Sequence, residues 1–326
     1  MVQISIIIPT YNAEKYIFQC LQSIYNQTFK DYEVLIINDA STDKTEKVVN
    51  DFVNTHVGFN LRFITTSKGG AAKARNIGIR QAEGKYIAFI DSDDTIESLM
   101  LQKMVKTAEE TDADLVTCNF YWCYPNKNKE QKLFPCKNNR DLFLNAWVAP
   151  WNKIYRKKML IDNNIYFTEG YTYEDTAFYL KYIPFCKIVQ HIESPFVYWR
   201  QHNTSTMRGN QDNRIKQIFP VLRDAIGFYQ ASGNYESYKN DLEYFCIKIL
   251  WGSSMYRMCQ VRNKAERKQC IDMTLKWLNI FFPNWRKNSK FQTGIRGWYI
   301  RSINQYTAEI YANLIYYIRY FGRKKM

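Results

Sequence analysis

The chain predicts an α/β fold, a doubly wound and mostly parallel sheet followed by a C-terminal helical region, and three observations carry that expectation. Short apolar runs alternate with segments of helical period through the first third of the sequence. The run Tyr86–Ile90 stops abruptly at Asp91, Asp93 and Asp94, as a central strand does when its carboxyl end opens on a crevice. Past roughly residue 210 the strand signals fade into long segments rich in Tyr, Trp, Phe and basic residues.

In chain order, Ile4–Ile8 reads as an apolar strand and Ala13–Tyr25 as a helix. Glu33–Ile37 is again apolar, and Asp43–Asn54 is an amphipathic helix with Ser41 or Thr42 available as its cap. Leu61–Ile64, Ala71–Ala82 and Tyr86–Ile90 continue the alternation. Thr95 to Glu110 reads helical, most clearly from Ser98, with Asp94 as the expected cap, and Leu115–Cys118 is the next strand. From Asn119 to Asn145 a polar, Lys/Asn-rich stretch reads as a surface excursion. The expected division is a catalytic domain over 1–212 and a basic, aromatic helical region over 213–326 that contacts membrane, acceptor or another subunit.

With 326 residues and 46% hydrophobic content the chain can bury a full core and is not disordered. Its eight cysteines include no C-x-x-C pair and no zinc spacing, so buried free thiols in a reducing compartment are expected. No signal-peptide pattern opens the sequence and no apolar run is long enough to span a bilayer, which leads us to expect a cytoplasmic protein whose membrane contact is peripheral. The net charge of +14 is uneven: from Lys216 onward 19 Lys and Arg face 7 Asp and Glu. Such asymmetry points to an anionic partner, lipid headgroups or nucleic acid, against the default of a solvated basic face.

Three strand ends carry polar motifs in order: Pro9-Thr10-Tyr11-Asn12, then Asn38-Asp39-Ala40-Ser41-Thr42-Asp43, then Asp91-Ser92-Asp93. The Gly-rich dinucleotide fingerprint is absent after the first strand. Carboxylates as close as Asp91 and Asp93 repel one another unless a cation joins them, so a divalent metal with a phosphate is the natural third party. Further on stand Lys73-Ala74-Arg75-Asn76-Ile77-Gly78, Trp151-Asn152-Lys153, Glu174-Asp175 and Tyr198-Trp199-Arg200-Gln201-His202-Asn203-Thr204-Ser205.

In order and chemistry these motifs resemble the inverting family 2 glycosyltransferases of the GT-A fold, a Rossmann-like sheet, of the bacterial cell-surface polysaccharide type. The resemblance covers roughly the first two hundred residues. It implies that Pro9, Tyr11, Asn12 and Glu14 wall a uridine pocket, that Asp39 accepts from the uracil N–H, and that Ser41 belongs to the same nucleotide site. The family's second motif is D-D-G-S-x-D; Asn38 and Ala40 replace its first Asp and its Gly, which puts the turn geometry in question. Arg75 and Asn76 match A-x-N-x-G and would hold diphosphate or sugar hydroxyls. The D-x-D falls on Asp91 and Asp93: Asp93 as direct ligand of Mn²⁺ or Mg²⁺, Asp91 on hydroxyls or coordinating through water, with Ser92 between them. Asp175, preceded by Glu174 in the family's E-D position, would be the catalytic base. Trp151, Asn152 and Lys153 would approach the sugars. Arg200 would neutralise the departing UDP, and His202 would be a further metal ligand.

The expected activity is therefore metal-dependent, inverting transfer of one sugar from a UDP-sugar to a hydroxyl of a lipid-linked cell-surface glycan, at the inner face of the cell membrane. An anionic membrane is an expected partner, a homo-oligomer is an alternative use of the basic region, and nucleic acid is not expected. At the C-terminus Ile310, Leu314, Tyr317, Ile318 and Phe321 fall on one helical face with Arg319, Arg323, Lys324 and Lys325 beside them. That face either lies in headgroups or packs on protein. Two other classes compete. Asp91-Ser92-Asp93-Asp94-Thr95 also fits the D-x-D-x-T of haloacid-dehalogenase-like phosphatases, whose later G-D-x-x-x-D cluster is missing here. A non-catalytic basic binding module would leave the ordered acidic motifs unexplained.

Overall fold

Strand β1 (Ile4–Thr10) and strand β2 (Tyr32–Asn38) are buried along their whole length, as strands covered on both faces must be. The computed structural model describes residues 2–145, 147–201, 214–259, 261 and 263–323. The chain forms two compact units, Met1–Asn203 and Thr204–Met326.

In the first unit, helix α1 (Ile17–Tyr25) presents Ile17, Cys20, Leu21 and Ile24 to the sheet, one stripe of a 3.6-residue period. Helix α2 (Thr45–Thr55), strand β3 (Leu61–Thr65), helix α3 (Gly70–Gln81) and strand β4 (Tyr86–Phe89) complete three βα units. They pair in parallel in the order β3-β2-β1-β4. Each isoleucine buried in β1 contributes about 2 kcal/mol of apolar transfer.

Beyond β4 the sheet becomes mixed. Strand β5 (Thr95–Ile96), helix α4 (Met100–Thr111), strand β6 (Leu115–Tyr124), strand β7 (Lys127–Gln131) and helix α5 (Asn139–Asn145) follow, then strand β8 (Lys153–Arg156), helix α6 (Lys157–Asp162), helix α7 (Glu174–Tyr182) and strand β9 (Val189–Arg200). β8 runs antiparallel between β4 and β6, β9 runs parallel to β6, and β5 pairs antiparallel with β9.

Two expectations change here. Thr95-Ile96 is a strand, not the start of the helix, because these β-branched residues pair with Tyr198 and Val197. The stretch after Asn119 is not an irregular excursion at its start: β6 runs on to Tyr124 and turns into β7, whose exposed Lys-rich sequence is that of a protected edge strand.

The second unit is helical: α8 (Ile218–Ala231), α9 (Tyr235–Lys248), α10 (Met255–Met258), α11 (Lys264–Phe281), α12 (Gly294–Ser302) and α13 (Gln305–Arg323). A π-helical stretch, Ile249–Ser254, joins α9 to α10. Asn263 caps α11 by accepting the N–H groups of Ala265 and Glu266. Ala308 and Ala312 turn the inner face of α13 toward the interior, while Tyr306, Ile310, Leu314 and Tyr317 are all more than half exposed on its outer face. Among the described residues no helix is long and apolar enough to cross a membrane.

Candidate active site

The loops after β1 and β2 are tied together by their own side chains. The Ser41 hydroxyl accepts the Asn12 N–H (2.9 Å), the Asn12 carboxamide oxygen accepts the Thr42 N–H (2.8 Å), and Glu14 accepts from Lys44 N–H (3.0 Å). Asp43 accepts from the Glu14 N–H, the Thr45 N–H and the Thr45 hydroxyl; burial raises its pKa, but these bonds outweigh burial and hold it below the ordinary carboxylate value. Ser41 is therefore engaged with the first loop, and Asp43 supplies the acceptor at the start of α2 that Ser41 or Thr42 was expected to supply. Asn12 and Ala40 both sit at positive φ (48° and 55°). Ala40, where the family's pattern has glycine, thus takes a left-handed conformation at a cost of about 1 kcal/mol.

Asp39 sits just beyond the end of β2, 5% exposed, and its two oxygens accept the N–H groups of Gly69 (2.6 Å) and Gly70 (2.9 Å). Gly70 adopts φ 83°, a backbone state that glycine enters without penalty. The carboxylate thus caps α3, a helix thirty residues away, with each oxygen retaining a second lone pair. Pro9 is buried at the end of β1; Tyr11 is exposed, with the Lys68 ammonium 3.1 Å from its hydroxyl and over its ring.

Helix α3 then reaches two further motifs. Arg75 donates from Nη2 to Asp91 Oδ1 and from Nη1 to Glu174 Oε1, both at 2.8 Å, and its side chain is 7% exposed. Asn76 donates to the Phe167 carbonyl (2.9 Å) and to Glu169 Oε1 (2.8 Å) and accepts the Phe167 N–H (2.8 Å). α3 can lie this deep because Gly78 faces Ile7: a Cβ there would stand 2.4 Å from Ile7 Cγ2.

The acidic turn is closed by the Asp94 N–H on the Asp91 carbonyl, with Ser92 and Asp93 half-buried between them. Asp94 is 1% exposed; Oδ1 accepts the Arg200 backbone N–H at 2.8 Å, and Oδ2 is buried with no hydrogen-bond partner among the described residues. It therefore tethers β9 rather than capping a helix, the role expected for it. Burial first, then the charges of Asp93 and Asp91, push its carboxyl well above the usual range. Arg200 donates from Nε to the Asp93 carbonyl (2.9 Å) and from Nη2 to Gln19 (2.6 Å). Asp175 is half-buried in the first turn of α7, with the Thr176 hydroxyl 3.4 Å away, and its charge reaches Arg75, Lys153 and Tyr155. Tyr173, just before it, is buried at φ 70°, a left-handed state rare for a bulky residue.

The sugar-facing role expected for Trp151-Asn152-Lys153 does not fit their burial. Trp151 is 3% exposed, packed among Phe120, Trp147 and Trp199. Asn152 is fully buried and donates to the Cys118 carbonyl. Lys153 donates to the carbonyls of Trp147 and Ala149 and to Asn152 Oδ1, each at 2.7 Å. Burial pushes its ammonium down to about 7, and the three acceptors oppose that, since only the charged form can donate to all of them. Apolar packing claims this segment because β8 lies inside the sheet. His202 lies outside the described residues.

Sequence reasoning passed over Lys68, Gln19 and Glu169, which contact Tyr11, Arg200 and Asn76. Of these only Lys68, beside the glycine pair, carried a local signal.

Among the described residues no group of three His, Cys, Asp or Glu side chains is gathered as a ready cation cage. The acidic turn nevertheless suits a hard divalent ion that takes part of its shell from phosphate: the donors are carboxylate oxygens, and their repulsion, seen at Asp94, is what a cation would relieve.

Residues 5–172 match the family described as Glycosyl transferase family 2. The putative glycosyltransferase EpsH of Bacillus subtilis is 28% identical over 257 residues, 75% of this chain and 74% of that protein. The poly(ribitol-phosphate) beta-N-acetylglucosaminyltransferase TarS of Staphylococcus aureus is 33% identical over 187 residues, 56% of this chain and 32% of that protein. S. aureus TarS 1-349, solved in complex with UDP-GlcNAc, superposes with a TM-score of 0.77 at 22% identity, covering 98% of this chain and 92% of that one. The fold is thus the GT-A arrangement with a helical C-terminal region, and the phosphatase and binding-module alternatives fall away. With its acidic turn, its E-D pair and its β1 and β2 loops joined in one network, the chain belongs to glycosyl transferase family 2.

Proposed function

We propose that the protein is an inverting, divalent-metal-dependent transferase that moves one sugar from a UDP-sugar to a hydroxyl of a lipid-linked cell-surface glycan. The observation that carries this reading is the meeting of three motifs on α3: Asp39 at its N-terminus, Asp91 and Glu174 on Arg75. The donor is supported by S. aureus TarS, which was solved with UDP and with UDP-GlcNAc. A mannosyltransferase of Pyrobaculum calidifontis solved with GDP-Man and Mn²⁺, at a TM-score of 0.51 and 19% identity over 96% of this chain and 87% of that one, shares the fold.

In this reading the uridine lies over Pro9 and Tyr11 beside Asp39, with Lys68 at the rim. Asp93, with Asp91 beside it, would hold Mn²⁺ or Mg²⁺, which when bound screens the diphosphate charge. The acceptor oxygen attacks C1 from the face opposite the diphosphate; the C1–O bond to phosphate breaks, and UDP leaves with the electron pair. Asp175, in the first turn of α7, takes the hydroxyl proton. Arg200, anchored on the Asp93 carbonyl and Gln19, offers positive charge near the leaving group.

The second unit is assigned to the acceptor side. Its basic excess and the outward stripe Tyr306-Ile310-Leu314-Tyr317 support peripheral docking on an anionic membrane, where a lipid-linked acceptor presents its sugar. The test is hydrolysis of a UDP-sugar panel with Mn²⁺, which needs no acceptor. Release of UDP from one donor, abolished by chelation, is expected; no release from any UDP-sugar, with release from a GDP-sugar, overturns the donor assignment.

A further inference from the structure

We propose that Arg75 and Asn76 are positioning residues: adjacent side chains of one turn of α3 that lock the loop carrying Glu174 and Asp175 onto the acidic turn at Asp91. The family resemblance would have them touch diphosphate or sugar. Both are instead buried, 5% and 2% exposed; the Asn76 carboxamide and the two terminal nitrogens of Arg75 are committed to the protein, while Arg75 Nε is buried with no partner among the described residues. Arg75 spends one terminal nitrogen on Asp91 and the other on Glu174, residues 16 and 99 positions away. Asn76 spends its amide group on Phe167 and Glu169 and its oxygen on the Phe167 N–H.

The two side chains grip opposite ends of one segment, 167–174. Asn76 holds its entry at Phe167, whose ring also stacks on Phe178 of α7 with centroids 3.9 Å apart and planes 3° apart. Arg75 holds its exit at Glu174, with the guanidinium 5.3 Å from the Phe167 ring. Between the grips the backbone is left-handed at Gly170 (φ 83°), which glycine enters freely, and at Tyr173 (φ 70°), a state that a bulky residue keeps only where its surroundings impose it. A planar guanidinium is suited to bridging two carboxylates; a lysine ammonium delivers a point charge instead of a fork. The bridge also divides labour within the E-D pair: Glu174 is an ion-pair partner of Arg75, and Asp175, one residue on, is the group aligned by it. This assignment rests on the reading of Asp175 as the base.

The test uses the full chain with Arg75→Lys, Arg75→Met and Arg75→Met/Glu174→Met. Three readouts are taken: UDP affinity by calorimetry with Mn²⁺, kcat and KM for the UDP-sugar that the wild type hydrolyses, and amide exchange across 167–174. A positioning role gives UDP affinity within about threefold of wild type, kcat lower by about 10²-fold, and faster exchange in the loop. The double variant is then no slower than Arg75→Met, because the two changes remove one interaction. A tenfold or greater loss of UDP affinity with kcat retained makes Arg75 a donor ligand and overturns the proposal, as do multiplicative effects or unchanged exchange. Arg75→Lys keeps the charge and carries the test if Arg75→Met does not fold. Exchange is read without turnover: faster exchange in a protein inactive on every UDP-sugar sinks the transferase reading alone, and unchanged exchange in an active protein sinks this one alone.

Discussion

The Asp94 carboxylate accepts the Arg200 backbone N–H at 2.8 Å, joining chain positions 106 residues apart. That bond holds the end of β9, and with it the Arg200 guanidinium, against the acidic turn. It also buries a carboxyl group, with one oxygen unpartnered among the described residues.

Asp94 consequently gives the protein a pH signature. Its folded pKa lies well above the ordinary 3.8, so between these values the folded state binds a proton that the unfolded state has lost, and stability falls as pH rises through that window. Asp94→Asn removes the titration while keeping an acceptor for Arg200. In metal-free buffer the variant should melt above wild type at pH 7 and match it near pH 4; a lower melting temperature at pH 7 would refute the buried-acid account.

Gly78 sets how closely α3 approaches β1. Gly78→Ala places a methyl into Ile7 and should cost about 1–3 kcal/mol. Urea unfolding reads this as a lower midpoint at unchanged slope, and a wild-type midpoint would mean the helix has room to shift.

Lys153 organises the aromatic interior through three oxygens at 2.7 Å. Lys153→Met fills similar volume but strands the carbonyls of Trp147 and Ala149, for an expected loss of about 3 kcal/mol. Tryptophan fluorescence should report both the loss and a changed environment in the Trp147–Trp151 cluster. Wild-type stability would show that the carbonyls find other donors.

For the base, Asp175→Asn should leave calorimetric UDP binding intact and lower turnover by about 10²–10⁴-fold. Turnover within threefold of wild type removes Asp175 from the role.

The outward face of α13 should carry membrane affinity if the second unit docks on lipid. Ile310→Asp with Leu314→Asp removes two exposed apolar side chains, each worth about 2 kcal/mol if fully buried. Pelleting with phosphatidylserine vesicles should weaken at least about tenfold. Undiminished pelleting, with a smaller species in light scattering, would mean that the face joins two copies.

Much of this site was legible in one dimension. Apolar alternation marked β1, β2 and β4, and a carboxylate cluster at the end of an apolar run marked Asp91–Asp94, because strand burial and strand-end chemistry leave local patterns. The substitution of Ala40 for glycine raised a question about the turn that only the backbone could answer, with a left-handed φ of 55°. What stayed hidden were partners far along the chain. Nothing near Arg75 announces Glu174, and nothing near Trp151 distinguishes a sugar platform from a core residue.

The sequence by itself determined the order of the βα units, the positions of the acidic motifs, the family and the concentration of positive charge in the last third. The tertiary structure decided which of those groups face one another: Asp39 on the α3 N-terminus, Arg75 between two carboxylates, Asp94 sealed under β9, Lys153 inside, and the α13 stripe outside. The reason is physical. Periodicity and propensity act over a few residues, whereas an ion pair across 99 positions or a burial across a sheet exists only after the chain has closed on itself.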